Sequence, residues 1–232
     1  MARRLQARDS ERFIAVEWSD EPTRTFEADL LLVAVGRGPT TDGLGYEEQG
    51  IAMDRGYVLT NERLQTNIPG VYAAGDIVPG LQLAHRGFQQ GIFIAEEIAG
   101  LNPVVIDETG IPKVTYCEPE VASVGLSEAK ARETYGADNV SVYEYNLGGN
   151  GKSQILGTAG FIKLVRRNNG PVIGVHMIGS RVGEQIGEGQ LIVNWEAYPE
   201  DVATLVHAHP TMNEAIGEAH LALAGKPLHA HA

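Results

Sequence analysis

The chain has 232 residues, of which 43% are hydrophobic and 21% are charged. That length suggests one large or two small domains and is sufficient for a substantial core. Thirty acidic residues outnumber 18 lysines and arginines, and the net charge of -12 repels nucleic acid and anionic membrane surfaces. No apolar run approaches the roughly 20 residues of a membrane-spanning helix. We therefore expect neither a nucleic-acid partner nor a membrane.

Cysteine and glycine usage add two expectations. The single cysteine, Cys117, excludes an internal disulfide, and no apolar stretch follows Met1-Ala2-Arg3-Arg4 to act as a signal peptide. We therefore expect a cytoplasmic protein, with Cys117 as a small packing residue. The 28 glycines exceed the usual share and indicate tight turns or a backbone that approaches a ligand closely.

The first hundred residues show the patterns of a layered α/β structure. Alternating apolar residues predict edge strands within Arg12–Asp29, with a turn at Glu21-Pro22. Continuous apolar runs predict buried strands over Leu30–Val35 and Val71–Asp76, with a polar stretch and one short helical turn between them. A helix is predicted over Ala84–Gly100. Its predicted apolar face consists of Phe88, Ile92, Ala95 and Ile98.

Beyond residue 107 the pattern changes to antiparallel strands followed by helices, which predicts an α+β module. The predicted strands are Val114–Cys117, Val121–Leu126, Val140–Leu147, Gly160–Arg166 and Val172–Ile178. One helix interrupts them, with Ser127 as its N-cap and Tyr135 at its end. The predicted closing helices are Val182–Trp195, Pro199–Val206 and Met212–Ala224.

Complete cofactor and metal motifs are absent from the sequence. Each Gly-x-Gly pair lacks the third glycine of the Gly-x-Gly-x-x-Gly fingerprint, and no P-loop, Cys-x-x-Cys or His-Glu-x-x-His occurs. The chain therefore carries neither a dithiol nor a complete pyrophosphate cradle. Two His-x-His pairs occur, but no carboxylate cluster completes a metal site, and we expect no metal. The histidines concerned are His207, His209, His229 and His231.

Two segments are similar to the pyridine nucleotide-disulfide oxidoreductase family. They are Thr66-Asn67-Ile68-Pro69-Gly70-Val71-Tyr72-Ala73-Ala74-Gly75-Asp76, and His207-Ala208-His209-Pro210-Thr211 with Glu214. The resemblance is narrowed to dihydrolipoyl (lipoamide) dehydrogenases by Leu83-Ala84-His85 and by Gly217-Glu218-Ala219-His220-Leu221-Ala222. The similarity runs from about Ala28 to the C-terminus and covers only the C-terminal half of that family's chain. The family's flavin fingerprint, redox-active cysteine pair and nicotinamide fingerprint are absent.

The resemblance implies a fold and an assembly. The expected fold class is an α+β C-terminal dimerisation domain, an antiparallel sheet with helices, preceded by partial α/β nucleotide-binding segments. Residues 1–43 would be the remnant of an NAD-binding domain, 44–106 the C-terminal part of an FAD-binding and central domain, and 107–232 the interface domain. A homodimer is implied, with lipoyl domains of 2-oxo acid dehydrogenase complexes as partners.

The first candidate site is a flavin site. A carboxylate at Asp76 can accept hydrogen bonds from ribityl hydroxyls, while Gly75 lets the backbone come close; the alternative is an aspartate that only caps a turn. The resemblance implies that Asp76 contacts the ribityl chain of FAD. It also implies that a helix N-terminus, which stabilises negative charge, faces the isoalloxazine edge. The backbone concerned is that of Gln82, Leu83, Ala84 and His85.

A glycine-rich turn gives a candidate NAD contact. By resemblance, Gly36 is the glycine that approaches NAD after the last strand of the nicotinamide domain. Without the resemblance, Gly36-Arg37-Gly38-Pro39 is only a turn. Arg37 is expected to be solvated or to bridge domains rather than to bind a ligand.

The second candidate site is the pair of His209 and Glu214. An imidazole can accept a proton from a dithiol near neutral pH, and a carboxylate bonded to its other nitrogen fixes the tautomer. Thr211-x-x-Glu214 is also a capping box, which requires no catalysis, and the bare sequence leaves both interpretations open. The resemblance implies that His209 is a base that enters the active site of the opposite subunit, and that Glu214 orients it.

Two classes of function are compatible with this sequence, and within the enzyme class a related reductase for another disulfide is a further possibility. One is the C-terminal part of a flavin-dependent dihydrolipoyl dehydrogenase, which passes electrons from dihydrolipoamide through FAD to NAD. The other is a non-enzymatic truncated paralogue that serves as a dimerisation or assembly module. Because the dithiol and the pyrophosphate cradle are missing, we expect this chain alone to be inactive.

Overall fold

The computed structural model describes residues 36–229 and, before them, Leu30, Leu32, Ala34 and three strands. These strands pair in the antiparallel order β1-β2-β3. They are β1 (Leu5–Ala7), β2 (Phe13–Val16) and β3 (Arg24–Glu27). β2 and β3 lie where the alternating pattern predicts edge strands, and the predicted turn at Glu21-Pro22 lies outside the described residues.

The apolar run at Leu30–Val35 does not form the predicted buried strand at its described positions. Leu30 and Leu32 are 83% and 81% exposed, and neither they nor Ala34 have regular secondary structure. A buried strand requires neighbouring strands that pair its backbone and elements that cover both its faces. The described part of the chain supplies neither, so this prediction is wrong.

The region between residues 51 and 78 contains a small hairpin and a turn. β4 (Met53–Asp54) pairs with β5 (Tyr57–Val58), where the sequence predicts only a helical turn. The buried strand predicted over Val71–Asp76 is also wrong. Only Tyr72 forms a bridge, and Gly75–Ile77 are a 3₁₀ turn, because Gly75 at φ +79° takes the chain out of the extended conformation.

Helix α1 (Ala84–Ile98) confirms the predicted helix, and Gly100 at φ +74° ends it. Its orientation differs from the prediction. The predicted apolar face is exposed, with Phe88 at 74%, Ile92 at 52% and Ile98 at 66%, and Ala95 is exposed as well.

The buried side of α1 is held by polar contacts as well as by packing. Its buried residues are Arg86, Gln90 and Phe93. Arg86 Nε donates to Glu108 Oε1 at 2.6 Å, and Gln90 Oε1 accepts from the Gly75 N–H at 2.7 Å. These bonds select the buried face, and the described residues provide no apolar surface against the opposite one.

A five-stranded antiparallel sheet forms the centre of the C-terminal half, in the order β6-β7-β10-β9-β8. The antiparallel strands expected from the sequence are confirmed. They are β6 (Lys113–Thr115), β7 (Glu120–Gly125), β8 (Val140–Asn146), β9 (Phe161–Arg167) and β10 (Val172–Gly179). Cys117 lies between β6 and β7 and is exposed rather than packed, because it belongs to the connecting turn; its thiol donates to the Pro119 C=O at 3.1 Å.

Five helices accompany this sheet. They are α2 (Glu128–Tyr135), α3 (Gly151–Leu156), α4 (Val182–Asn194), α5 (Pro199–Val202) and α6 (Glu214–Leu223). Ser127 caps α2 as predicted, since its Oγ accepts from the Lys130 N–H at 3.3 Å. The sequence analysis missed α3, which Asn150 caps by accepting from the Ser153 N–H at 2.9 Å. No helix in the described part of the chain is long and apolar enough to cross a membrane.

The sheet has helices on both faces. α4 packs on β7 and β10, while α6 packs on β8 and β9 and contacts α5. This face holds the main core, in which Val124, Ile162, Leu164, Val175 and Ile216 are fully buried. α2 covers the other face with a smaller cluster of Ala131, Val140 and Val165, as alternation along β8 and β9 requires. The core therefore fixes α4 and α6 relative to each other.

One buried histidine lies in this core. His220 on α6 is 0% exposed, and its Nδ1–H donates to the Ile216 C=O at 2.7 Å. Its Nε2 has no partner among the described residues. Burial lowers the pKa of His220 to about 4, because a protonated ring would lose its hydration.

We expect His220 to make the fold sensitive to acid. The folded pKa is about 4, and an unfolded histidine titrates at about 6.5, so below that pH the unfolded state gains a proton that the folded state does not bind. The contribution of His220 to the free energy of unfolding is fully present above about pH 6.5. It is lost as the pH falls towards 4, by up to about 3 kcal/mol. Urea unfolding between pH 7.5 and pH 5 measures this slope. His220→Gln, which cannot titrate, should flatten it, and an equal slope in both proteins would contradict the assignment.

Candidate active site

His209 lies in the segment between α5 and α6 and forms a pair with the first residue of α6. The His209-Pro210 peptide bond is cis. His209 Nδ1 lies 2.8 Å from Glu214 Oε1, and the His209 side chain is 76% exposed. A carboxylate can only accept this bond, so the hydrogen is on Nδ1 and the Nε2 lone pair is available for a proton. This is the arrangement of a general base and its orienting group.

The second oxygen of the Glu214 carboxylate accepts a hydrogen bond from the backbone. Glu214 Oε2 accepts from the Thr211 N–H at 2.8 Å, which is one half of the predicted capping box. The reciprocal bond is absent, since Thr211 Oγ1 donates to the Ala208 C=O at 2.6 Å and the N-cap position is Asn213. One carboxylate thus stabilises the turn and orients His209 at the same time.

Glu214 is ionised at neutral pH. Burial acts to raise its pKa, but the hydrogen bonds from the Thr211 N–H and from His209 outweigh that effect and hold the pKa of Glu214 below its usual 4.5. A negative carboxylate also stabilises a positive imidazole, so the pair can carry a transferred proton.

A second histidine–carboxylate pair lies behind the first, and the sequence analysis missed it. His207 Nε2 is 2.8 Å from Glu188 Oε1 on α4, and Glu188 Oε2 accepts from Asn213 Nδ2 at 2.8 Å. Gly217 on α6 leaves room for the imidazole, because a Cβ there would lie 2.7 Å from His207 Nδ1. The available signal was a glycine within a predicted helix, which often marks a close approach.

A third pair involves the C-terminal segment. His229 Nδ1 is 2.9 Å from Glu218 Oε1, and His231 lies outside the described residues. The described histidines of the two His-x-His pairs therefore contact three different carboxylates. Within the described residues, no group of three or more His, Cys, Asp and Glu is placed to hold a metal ion.

The candidate flavin residues form a separate group at the N-terminus of α1. Asp76 is in the 3₁₀ turn beside this helix, and Gln82 Nε2 donates to its backbone C=O at 3.5 Å. The Asp76 side chain is exposed, and none of the described residues donates a hydrogen bond to its carboxylate. The carboxylate therefore does not cap the turn and is available to hydroxyl donors.

The helix N-terminus beside Asp76 presents backbone donors. Leu83 is the N-cap of α1 and makes no side-chain cap, and the first bond of the helix runs from the Gly87 N–H to the Leu83 C=O. The N–H groups of the first turn therefore lack helical acceptors and suit an electronegative ligand edge. The His85 ring is engaged elsewhere, with Nε2 at 2.8 Å from the Pro112 C=O, so its backbone is the available part.

The glycine-rich turn also reaches this region. Arg37 Nη2 donates to the Gln82 C=O at 3.1 Å, so the Arg37 side chain links the glycine-rich turn to the start of α1. A Cβ on Gly36 would meet nothing within 4 Å, so the backbone there is open. No hydrogen bond or ion pair between described residues connects this group with the His209–Glu214 pair.

Comparison with known proteins gives the family. The family model described as "Pyridine nucleotide-disulphide oxidoreductase, dimerisation domain" matches residues 111–220, and that described as "Pyridine nucleotide-disulphide oxidoreductase" matches residues 2–91. The chain belongs to the pyridine nucleotide-disulphide oxidoreductases. Both the resemblance and the fold class expected from the sequence are thereby confirmed: a dimerisation domain preceded by a partial nucleotide-binding segment.

Similar proteins include dihydrolipoyl dehydrogenases. A dihydrolipoyl dehydrogenase from Bacillus subtilis is 41% identical over 212 residues, which are 90% of this chain and 44% of that protein. The mitochondrial dihydrolipoyl dehydrogenase 2 of Arabidopsis thaliana is 41% identical, over 88% of this chain and 40% of its own length. The crystal structure of LpdA from Mycobacterium tuberculosis superposes with a TM-score of 0.80 at 26% identity and covers 92% of this chain and 46% of that one. The chain thus spans less than half the length of these proteins.

We expect Gly217→Ala to disturb the His207 pair. The new methyl group would overlap the His207 ring, and such overpacking costs about 1–3 kcal/mol, more than the helix propensity gained. The matched control is Gly187→Ala on α4, where a Cβ meets nothing within 4 Å; it should be neutral or stabilise by up to about 1 kcal/mol. Thermal or urea unfolding of both variants measures the difference. Equal effects at the two positions would exclude a close-packed His207.

Proposed function

We propose that this chain provides the C-terminal half of a flavin-dependent dihydrolipoyl dehydrogenase, an enzyme that oxidises dihydrolipoamide with NAD. The observation that carries the proposal is the His209–Glu214 pair, with 2.8 Å between Nδ1 and the carboxylate and an exposed imidazole. Relatives at 41% identity bear the name of this activity. The division into residues 1–43, 44–106 and 107–232 belongs to the same proposal.

His209 would act as the base for the dithiol substrate. A thiolate, not a thiol, is the nucleophile in disulfide exchange, and a free thiol is mostly protonated at neutral pH. Nε2 of His209 would take the thiol proton, leaving a thiolate and an imidazolium. The ionised Glu214 would stabilise the imidazolium through Nδ1–H until the proton leaves.

FAD is the cofactor that fits the group around Asp76. The exposed Asp76 carboxylate would accept from ribityl hydroxyls, and the N–H donors at the start of α1 would face an electronegative ring edge. Gly75 would admit a close approach, because a Cβ there meets nothing within 4 Å. FAD would supply the electron carrier between dithiol and NAD. The residues assigned to it are Asp76, Gln82, Leu83, Ala84 and His85, with Gly36 assigned to NAD.

The assembly we propose is a homodimer built on the dimerisation domain at residues 111–220. In it, His209 would serve the active site of the opposite subunit, and lipoyl domains of 2-oxo acid dehydrogenase complexes would deliver the dithiol. An exposed free thiol at Cys117 supports a reducing compartment, and we propose the cytoplasm.

A non-enzymatic role as a dimerisation or assembly module is the second candidate. The absence of a Cys-x-x-Cys dithiol and of a complete Gly-x-Gly-x-x-Gly fingerprint from the sequence favours it. Flavin absorbance of the purified chain separates the candidates: we expect the chain alone to retain little FAD and to have no dihydrolipoamide:NAD activity. A yellow preparation with turnover would overturn that expectation.

We expect His209→Gln to abolish most activity in a completed protein. The completed protein is a fusion, in which this chain follows the amino-terminal part of the Bacillus subtilis relative that it does not span. We expect this fusion to show turnover. In that fusion His209→Gln should slow oxidation of dihydrolipoamide by about 100- to 10,000-fold, the usual loss for a general base. Glu214→Gln should give a smaller loss with a shifted pH profile. The control is His229→Gln, which removes an exposed imidazole similarly paired with Glu218. If the His209 variant turned over normally and only its melting temperature fell, the motif around His209 and Glu214 would have a capping role and no catalytic one.

We expect Asp76→Ala to weaken FAD retention in the same fusion. A hydrogen bond to a charged group is worth about 1.5–3 kcal/mol, which corresponds to a Kd about 10- to 100-fold higher. Asp54→Ala is the control, because Asp54 is a surface carboxylate whose one ion-pair partner among the described residues is Arg55. Flavin titration of the stripped fusion gives both constants. Equal affinity of the two variants would remove Asp76 from the flavin site.

A further inference from the structure

One carboxylate bonds to both ends of the segment that carries His209. This segment, the His209 loop, consists of residues 207–213. Glu188 Oε1 lies 2.8 Å from Nε2 of His207, the first residue of the loop, and Glu188 Oε2 accepts from Nδ2 of Asn213, the last one, at 2.8 Å. The side chains of His207 and Glu188 are 13% and 23% exposed. The two ends are thus joined through a single side chain.

Glu188 is on a rigid element. α4 packs against β7 and β10 through the main core, where Ile186 and Ile192 on either side of Glu188 are buried. The position of the carboxylate is therefore set by the sheet and not by the loop itself.

The middle of the His209 loop has its own attachment. Asn150 Nδ2 donates to the Thr211 C=O at 3.1 Å, and Asn150 is itself buried at the N-terminus of α3. Gly217 leaves the space into which the His207 ring fits. The loop is thus held at its centre by one amide and at both ends by Glu188.

The imidazole of His209 has little support of its own. Its side chain is 76% exposed, and its hydrogen-bond partner is Glu214, the residue next to Asn213. The direction of Nε2 therefore depends on the loop backbone and on where Glu214 begins α6. A base that moves by about 1 Å loses much of its effect.

We propose that Glu188 is a positioning residue for His209: by bonding His207 and Asn213 at once, it fixes the ends of the loop and with them the His209–Glu214 hydrogen bond. The inference rests on the proposed role of His209 as a base. Among the described residues, Glu188 hydrogen-bonds His207 and Asn213 and not His209, so it acts on His209 through the ends of the loop.

Glu214 reports on the state of the loop. Its pKa is lowered by the Thr211 N–H and by His209, with a smaller contribution from His207. The charged and titratable groups near Glu188 include His207 across the hydrogen bond and the buried His220 on α6. If the loop ends separate, Thr211 and His209 withdraw from the carboxylate, and the pKa of Glu214 moves up towards its usual value.

The test uses the chain as it is, in solution NMR. Glu188→Ala should raise the pKa of Glu214, followed through its side-chain carboxyl carbon, and should speed amide exchange of Thr211 by about 10-fold or more. Glu188→Gln should retain most of the native behaviour, since its oxygen still accepts from His207 and its amide can pair with a rotated Asn213 amide. The matched control is Glu184→Gln, an exposed glutamate one turn earlier on α4, which should change neither quantity.

The outcomes separate cleanly. A folded Glu188→Ala chain with unchanged Glu214 titration and Thr211 exchange would overturn the inference. If that variant does not fold, Asn213→Ala, which frees one end only, should shift both quantities in the same direction by a smaller amount, and no shift would again overturn it. Neither measurement needs turnover. If His209→Gln left the turnover of the fusion unchanged, the proposed role of His209 as a base would be refuted, while the result for Glu188 would still stand.

Discussion

The arrangement of the candidate active site depends on one constraint, the burial of one face of the five-stranded sheet under α4 and α6. The main core joins residues of the strands to Ile186, Ile192 and Ile216 on these helices and leaves them no freedom to slide. Two carboxylates, Glu188 and Glu214, project from the helices into the same loop. A polar site of hydrogen bonds is therefore positioned by an apolar core.

The histidines of this region share one side chain, but different degrees of burial give them different roles. His220 is enclosed and neutral, and its protonation would oppose folding. His207 is mostly buried and serves as a hydrogen-bonding link between two elements. His209 is paired in the same manner as His207 but is exposed, so its free nitrogen can reach another molecule. Exposure of the second nitrogen therefore separates His209 from His207 and His220, although the exposed His229 shares this feature and its pairing with a carboxylate.

The sequence predicted the C-terminal half well, because its signals are local. Alternation along the strands and the cap at Ser127 depend on neighbouring residues, and the His209–Glu214 pair is only five positions apart. The Glu188–His207 pair was not predictable, since 19 residues separate its members and only the packing of α4 beside the loop unites them. The short helix α3 escaped notice because its glycine-rich start has the composition of a turn.

Hydrophobic periodicity was misleading in the first half for a related reason. The pattern of α1 identifies the face that is suited to burial, but it carries no information on whether the covering surface is present. The apolar runs Leu30–Val35 and Val71–Asp76 were likewise wrongly predicted to be buried strands. In the second run the conformation of Gly75 turns the chain out of the extended form. Asp76 and Gln82 nevertheless lie together, because they are only six positions apart around the start of α1. The contact of Arg37 with Gln82 spans 45 positions and follows from the fold rather than from a local signal.

The uncovered face of α1 has a consequence for the behaviour of the chain in solution. Phe88, Ile92 and Ile98 form a water-facing apolar stripe, and such stripes favour association between molecules. The net charge of -12 acts against that tendency, because like-charged chains repel each other. The attraction is insensitive to dilute salt, whereas the repulsion is screened over about 10 Å at 0.1 M ionic strength. The two effects therefore oppose each other, and a rise in ionic strength weakens the repulsion between chains without weakening the apolar attraction.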